Sequence, residues 1–216
     1  IYVESEQEIG GLLESAGVDQ VDYRTAIVNP LVRNEEILYQ LNGMSMYSST
    51  NTEEMWNFVK NMGFENLENR FQYAGSTEVM DMLLGIRYLF CRNTRTLHTA
   101  YKKIAESQSF DLYENPRALR SGYMVSDSVL DYAMEGTDPL EVQNRLLSGI
   151  VGKRLYKMQT VNSDTALIGN TTFNIHLKKG EHGYLYIPGT EPDTVTINGQ
   201  EQKSDYWNNN FLDLGT

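Results

Sequence analysis

Thr77-Glu78-Val79-Met80-Asp81-Met82-Leu83-Leu84-Gly85-Ile86-Arg87-Tyr88-Leu89-Phe90-Cys91 changes its hydrophobic period at Gly85. Before the glycine, Val79, Met80, Leu83 and Leu84 recur at helical spacing, and Ser76 or Thr77 opens the helix. After it, residues 86–91 form a mostly apolar run, charged only at Arg87, with the length of a buried strand. A helix delivered straight into a buried strand is a mixed α/β signal.

The same reading extends outward. Residues 5–16 place Ile9, Leu12, Leu13 and Ala16 on one helical face that ends at Gly17, and residues 23–28 read as a β-branched strand bounded by Asn29-Pro30. Residues 37–41 predict another strand. Thr50 with Glu53 is a capping-box pattern ahead of Met55, Phe58, Val59 and Met62. Residues 96–113 fit either a helix or a hairpin, and residues 119–125 read as a strand. Asp138-Pro139-Leu140-Glu141 combines a cap, a first-turn proline and a box glutamate, predicting a helix.

Beyond Gly152 helical spacing disappears. Residues 173–177 alternate, residues 183–187 follow, and Val195-Thr196-Ile197 runs into Asn198-Gly199, a strong hairpin signal. The expectation is an α+β chain: a mixed α/β domain over residues 1–152, then a small antiparallel, sandwich-like β domain over 153–216. The last sheet of that domain is open to completion by strands outside the chain.

Composition sets the outer bounds. At 216 residues, 40% of them apolar and 22% charged, the chain belongs with folded proteins. The apolar run of residues 79–90 is interrupted by Asp81 and Arg87 and is shorter than the ~20 residues that span a bilayer. The chain opens at Ile1, which reads as a piece of a longer protein. Net charge is −11, and residues 1–81 hold 14 acids against 4 bases, so a broad cationic footprint for nucleic acid is not expected. Cys91 is the one cysteine, so no internal disulfide forms.

Chemistry-bearing motifs are sparse. His98, His176 and His182 lack metal-pair spacing, and no dinucleotide loop, phosphate loop or nucleophile elbow occurs, so no metal, cofactor or catalytic residue is expected. Ser48-Ser49 has no histidine between Ile1 and Leu97 to serve as base, and reads as a capping loop. The one concentrated feature is residues 82–105, which hold no acid. Arg87, Tyr88, Arg92, Arg95, Lys102 and Lys103 within it are the candidate anion-binding set. Trp56, Tyr101, Tyr206 and Trp207 are further aromatic rings able to stack on sugars.

Taken in order, Tyr23-Arg24, Leu41-Asn42-Gly43-Met44-Ser45-Met46-Tyr47-Ser48-Ser49, Met82-Leu83-Leu84-Gly85-Ile86-Arg87-Tyr88, Asp111-Leu112-Tyr113-Glu114-Asn115-Pro116, Leu119-Arg120-Ser121-Gly122-Tyr123-Met124-Val125 and Asp138-Pro139-Leu140-Glu141-Val142-Gln143-Asn144 resemble the YfhO family of bacterial polytopic membrane proteins. The resemblance implies an extracytoplasmic module of a protein whose membrane helices lie outside this chain. It also implies a lipid-carrier-dependent glycosyltransferase acting on cell-wall polymers such as lipoteichoic acid. Partners would then be a cell-wall polymer or lipid-linked sugar, and the module would handle acceptor or cover the site. Such enzymes place their catalytic acid in a loop that nothing here matches, so no catalytic residue is carried over. The competing expectations are a structural or partner-binding ectodomain and a glycosidase, which would need two facing carboxylates in a cleft.

Overall fold

The computed structural model describes residues 2–28, 30–67, 69–73, 76–92, 101–131, 136, 138–158, 172, 174–186, 195–202 and 211–215. In chain order the elements are α1 (Tyr2–Ser15), β1 (Arg24–Val28), α2 (Glu35–Leu38), β2 (Met46–Tyr47), α3 (Glu53–Asn61), β3 (Glu65–Leu67), β4 (Arg70–Gln72) and α4 (Glu78–Leu83). They continue with β5 (Ile86–Arg92), β6 (Lys102–Glu106), β7 (Phe110–Glu114), a 3-10 turn (Asp127–Asp131), α5 (Pro139–Val151), β8 (Gly183–Tyr186), β9 (Val195–Ile197), β10 (Gln200–Gln202) and β11 (Phe211–Gly215).

The central sheet has the order β1-β5-β7-β6, with β1 and β5 parallel and the other pairs antiparallel. The apolar residues between Arg87 and Arg92 of β5 follow from burial on both faces, the usual state of a strand covered by helices. Ala26 and Leu89 join one core with Val59, Met62, Met80, Leu83, Val142 and Leu147, which come from α3, α4 and α5 and their ends. Ile27, Phe90, Phe110 and Leu112 join a second core with Ile9 and Leu12 of α1. The Phe90 and Phe110 rings meet edge to face at 6.1 Å. Cys91 is buried in β5.

The glycine that divides the deciding stretch has φ +68, and a Cβ there would lie 2.8 Å from the Leu119 carbonyl, so glycine alone fits. Thr77 caps α4 by accepting from the Met80 N–H, and Asp138 caps α5 by accepting from Leu140 and Glu141. Glu141 does not close a box at α5; its carboxylate pairs with Arg154.

Four expectations change. Residues 37–41 are not a strand: the chain forms the short α2, because Glu35 and Glu36 turn inward to accept hydrogen bonds from neighbouring segments. The cap of α3 is Thr52, not Thr50, whose hydroxyl is paired with Ser48 Oγ at 2.8 Å. Residues 119–125 are irregular, since the Leu119 and Ser121 N–H groups donate to Met82 and Asp22, two unrelated segments that cannot form one ladder. Residues 174–177 are not a strand either; β8 pairs antiparallel with β11 instead, and Leu177 packs over Gly183. Phe173 lies outside the described residues.

The 96–113 ambiguity resolves as a hairpin of β6 and β7, with residues 96–100 outside the described set. Asn198-Gly199 joins β9 to β10 with φ +52 and +81, the positive angles a tight hairpin turn requires. An α+β architecture with small antiparallel pairs in its C-terminal part is thus present. Tyr156 packs against the first core, and Tyr184 Oη accepts from the Glu78 N–H at 3.0 Å.

Candidate functional site

The segment from Asn42 to Thr52 carries little regular structure yet is pinned at each step. A Cβ on Gly43 would overlap the Glu36 carboxylate, so the backbone passes directly over that group. Glu36 is buried and accepts from the Ile27 N–H at 3.1 Å, the Ser45 N–H at 2.8 Å and the Ser45 hydroxyl at 3.1 Å. Burial raises its pKa, opposed by those hydrogen bonds. Ser45 Oγ in turn accepts from the Tyr73 N–H. Asn34 exchanges two hydrogen bonds with the Tyr47 backbone, and the Ser48 N–H donates to the Asn69 carbonyl.

Two clefts flank this pinned segment. The first, with only about 10 Å³ of space, runs between Pro30, Arg33, Glu35, Tyr47, Arg70 and Gln72. Its Glu35 carboxylate is already engaged, accepting from the Leu31 N–H, the Tyr39 hydroxyl and Arg92. The second, about 240 Å³, is bordered by Ser48, Ser49, Asn51, Glu53, Trp56 and Asn69. Trp56 is half-buried on the first turn of α3, with the Lys60 ammonium 5.0 Å from its ring. Asn51 Nδ2 is shielded from solvent and has no hydrogen-bond partner among the described residues. An indole beside amides, hydroxyls and one carboxylate is the donor and acceptor set that suits a sugar ring, apolar on its face and polar at its rim.

A third polar centre is enclosed rather than open. Asp81 is buried in α4 and accepts from Tyr73 Oη and Tyr101 Oη. Burial pushes its pKa up to about 6, against those hydrogen bonds. Thr77 Oγ1 donates to Gln143 and pairs with Tyr156 Oη, while Gln143 Nε2 donates to the Met62 carbonyl. These bonds join the end of α3 to α4 and α5.

The described members of the candidate anion-binding set lie on β5 and β6, and Arg87, Arg92 and Lys103 meet carboxylates. Arg87 donates from Nε and Nη2 to Glu114 Oε1 at 3.0 and 2.7 Å, with its guanidinium 4.5 Å above the Tyr23 ring. Arg92, at the other end of β5, pairs with buried Glu35 and lies 4.4 Å above Phe110. Lys103 bridges Glu106 and Asp111. Tyr88 is buried, Lys102 is exposed, and Arg95 lies outside the described residues. Folding therefore supplies from α2, β6 and β7 the acids that the local sequence lacks.

Of the stacking rings named from sequence, Trp56 borders a cleft, Tyr101 is bonded to Asp81, and Tyr206 and Trp207 lie outside the described residues. Asn51 and Asn69 were not legible as site residues; Asn69 reaches the cleft through the β2–β4 pairing, which holds Ser48 against it. His182 is half-buried with its ring 4.8 Å from Tyr184. Among the described residues no group of three or more His, Cys, Asp or Glu side chains is placed to hold a metal ion, and no helix is long and apolar enough to cross a membrane.

No curated protein and no solved structure matches the chain. A family model described as bacterial membrane protein YfhO matches residues 12–215, nearly the whole length and every strand of the central sheet. The chain belongs to the YfhO family of bacterial membrane proteins.

Proposed function

We propose that this chain is the extracytoplasmic, carbohydrate-handling module of a lipid-carrier-dependent glycosyltransferase that acts on cell-wall polymers such as lipoteichoic acid. In this reading residues 1–152 form the domain that holds sugar and residues 153–216 a β domain appended to it. The observation that carries the reading is the Trp56 cleft, where an aromatic ring, Asn51, Asn69 and Glu53 converge beside a pinned segment. Family membership supports a place in a membrane protein. The cations of β5 are held in ion pairs, so sugar rather than phosphate recognition is the role the described geometry favours.

Saturation-transfer NMR of the chain against hexoses, N-acetylhexosamines and a glycerol-phosphate polymer tests this. Transfer to a sugar that is lost in W56A, with the melting temperature retained, supports it. Transfer to none of them, or transfer unchanged in W56A, overturns it. The structural or partner-binding alternative draws on a separate observation, the 97% exposure of Met124 and the 85% exposure of Leu130, since apolar side chains so exposed suit a protein or lipid contact.

A further inference from the structure

The end of α5 and the segment after it combine two features. Residues 142–163 contain no acid, although the whole chain carries −11. Within this stretch Lys153, Arg154 and Lys157 alternate with Val151, Leu155 and Met158, whose exposures are 46, 45 and 43%. Apolar side chains left half in water between cations make neither a packed core nor an ordinary solvated face.

The cations differ in their engagement. Arg154 is paired with Glu141, whereas Lys153 and Lys157 are exposed and have no carboxylate partner among the described residues. The backbone that presents them is firmly held. Asn144 Oδ1 accepts from the Leu155 and Tyr156 N–H groups, and Asn144 Nδ2 donates to the Tyr156 carbonyl. Tyr156 is driven inward to Thr77 while its neighbours Leu155 and Lys157 stay exposed. The 3-10 turn is tied to the same end of α5 by Ser128 Oγ donating to the Gly149 carbonyl, and it adds the strongly exposed Leu130. Asp127 and Asp131 flank that leucine and are exposed, which leaves the cationic character to residues 153–157.

From this placement we infer that residues 151–158 form a docking face for the surface of an anionic phospholipid bilayer. Lys153 and Lys157 meet the headgroups, and Leu155 and Met158 enter the acyl boundary. The occupant follows from charge complementarity and from membership in a membrane-protein family. The net negative charge of the chain does not prevent this, because at physiological salt charges beyond ~8 Å are largely screened and the local lysines dominate. The pairing of basic and apolar side chains is what interfacial binding uses, each lysine adding electrostatic attraction and each apolar tip adding burial.

Co-sedimentation of the chain with large vesicles is the test. Binding to phosphatidylglycerol-containing vesicles that weakens with salt, and little binding to pure phosphatidylcholine, is expected. K153Q/K157Q should lower the partition coefficient roughly twenty-five-fold, from about fivefold for each lysine near a charged surface. L155S/M158S should lower vesicle binding while leaving any binding to a soluble glycerol-phosphate polymer unchanged. All four side chains are exposed, so circular dichroism and melting should match the parent protein. Equal sedimentation with neutral and anionic vesicles, or variants that bind like the parent, would overturn the inference. So would affinity for the soluble polymer alone. The W56A variant should bind vesicles normally, which separates this surface from the sugar cleft.

Discussion

Tyr101 Oη donates to Asp81 Oδ2 across 2.6 Å, and Tyr73 Oη donates to the same oxygen across 2.8 Å. A carboxylate in α4 thereby holds one residue just after β4 and another just before β6. The hydrogen bonds favour the charged form, but complete burial outweighs them and raises the pKa from 3.8 to about 6.

Folding therefore favours the protonated form of Asp81. Its contribution to stability is full below about pH 4 and is lost as pH rises through about 6. The size is on the order of 3 kcal/mol, because each tenfold change in a protonation equilibrium is worth ~1.4 kcal/mol. D81N, which keeps an acceptor for the tyrosines, should flatten the dependence of denaturation midpoint on pH between about 4 and 6. An unchanged slope in that titration would show that Asp81 is not the group responsible.

Gly43 and Glu36 form a second coupled pair. G43A pushes a methyl group into the carboxylate, and E36A leaves the Ile27 and Ser45 N–H groups without their acceptor. Each substitution should destabilise the chain by roughly 2–4 kcal/mol. The double variant should lose less than the two effects added, since the overlap with the carboxylate is removed and only the 2.7 Å approach to the Glu36 Cβ remains. Chemical denaturation of the three variants measures this, and strict additivity would contradict the contact.

The helix cap gives a cleaner contrast. T52A removes the acceptor for the Met55 N–H and should cost about 1 kcal/mol, whereas T50A should change stability by less than about 0.5 kcal/mol. Equal losses in urea titrations of the two variants would mean that the cap is shared.

Arg92 compensates a buried carboxylate, so R92M strands Glu35 in the core and should cost about 3–5 kcal/mol. R87M, at a partly exposed pair, should cost no more than about 1 kcal/mol. Thermal melts of both variants check the difference. Any loss of glycan binding on charge reversal at Arg92 is then to be read against the fraction still folded.

Much of the scaffold was legible because local signals agreed with tertiary demands. Asp138-Pro139 capped and opened α5, Gly85 ended α4, and residues 88–91 were apolar at every position because both faces are covered. The errors arose where side chains serve distant backbone. Glu35 and Glu36 solvate the N–H groups of Leu31, Ile27 and Ser45 and thereby wind a predicted strand into α2. The surroundings of the anion-binding set were hidden for a similar reason. A window along the chain registers the absence of acids in residues 82–105, but not the glutamates and aspartate that folding brings alongside. The sugar cleft was legible only through Trp56, since its amides come from either side of a pairing that sequence spacing does not encode.

The parallel register of Arg24 with Ile86 and Val28 with Cys91 bears on how the molecule is made. Strand β1 emerges from the ribosome roughly sixty residues ahead of the strand that completes its ladder, and loop closure over that separation is slow relative to hairpin formation. The β6–β7 hairpin is local, so it is the element able to form first, with β5 adding to it and β1 joining last. A nascent chain held before β5 is complete would leave Ala26 and Ile27 uncovered, and it is during that interval that the protein depends most on chaperone protection.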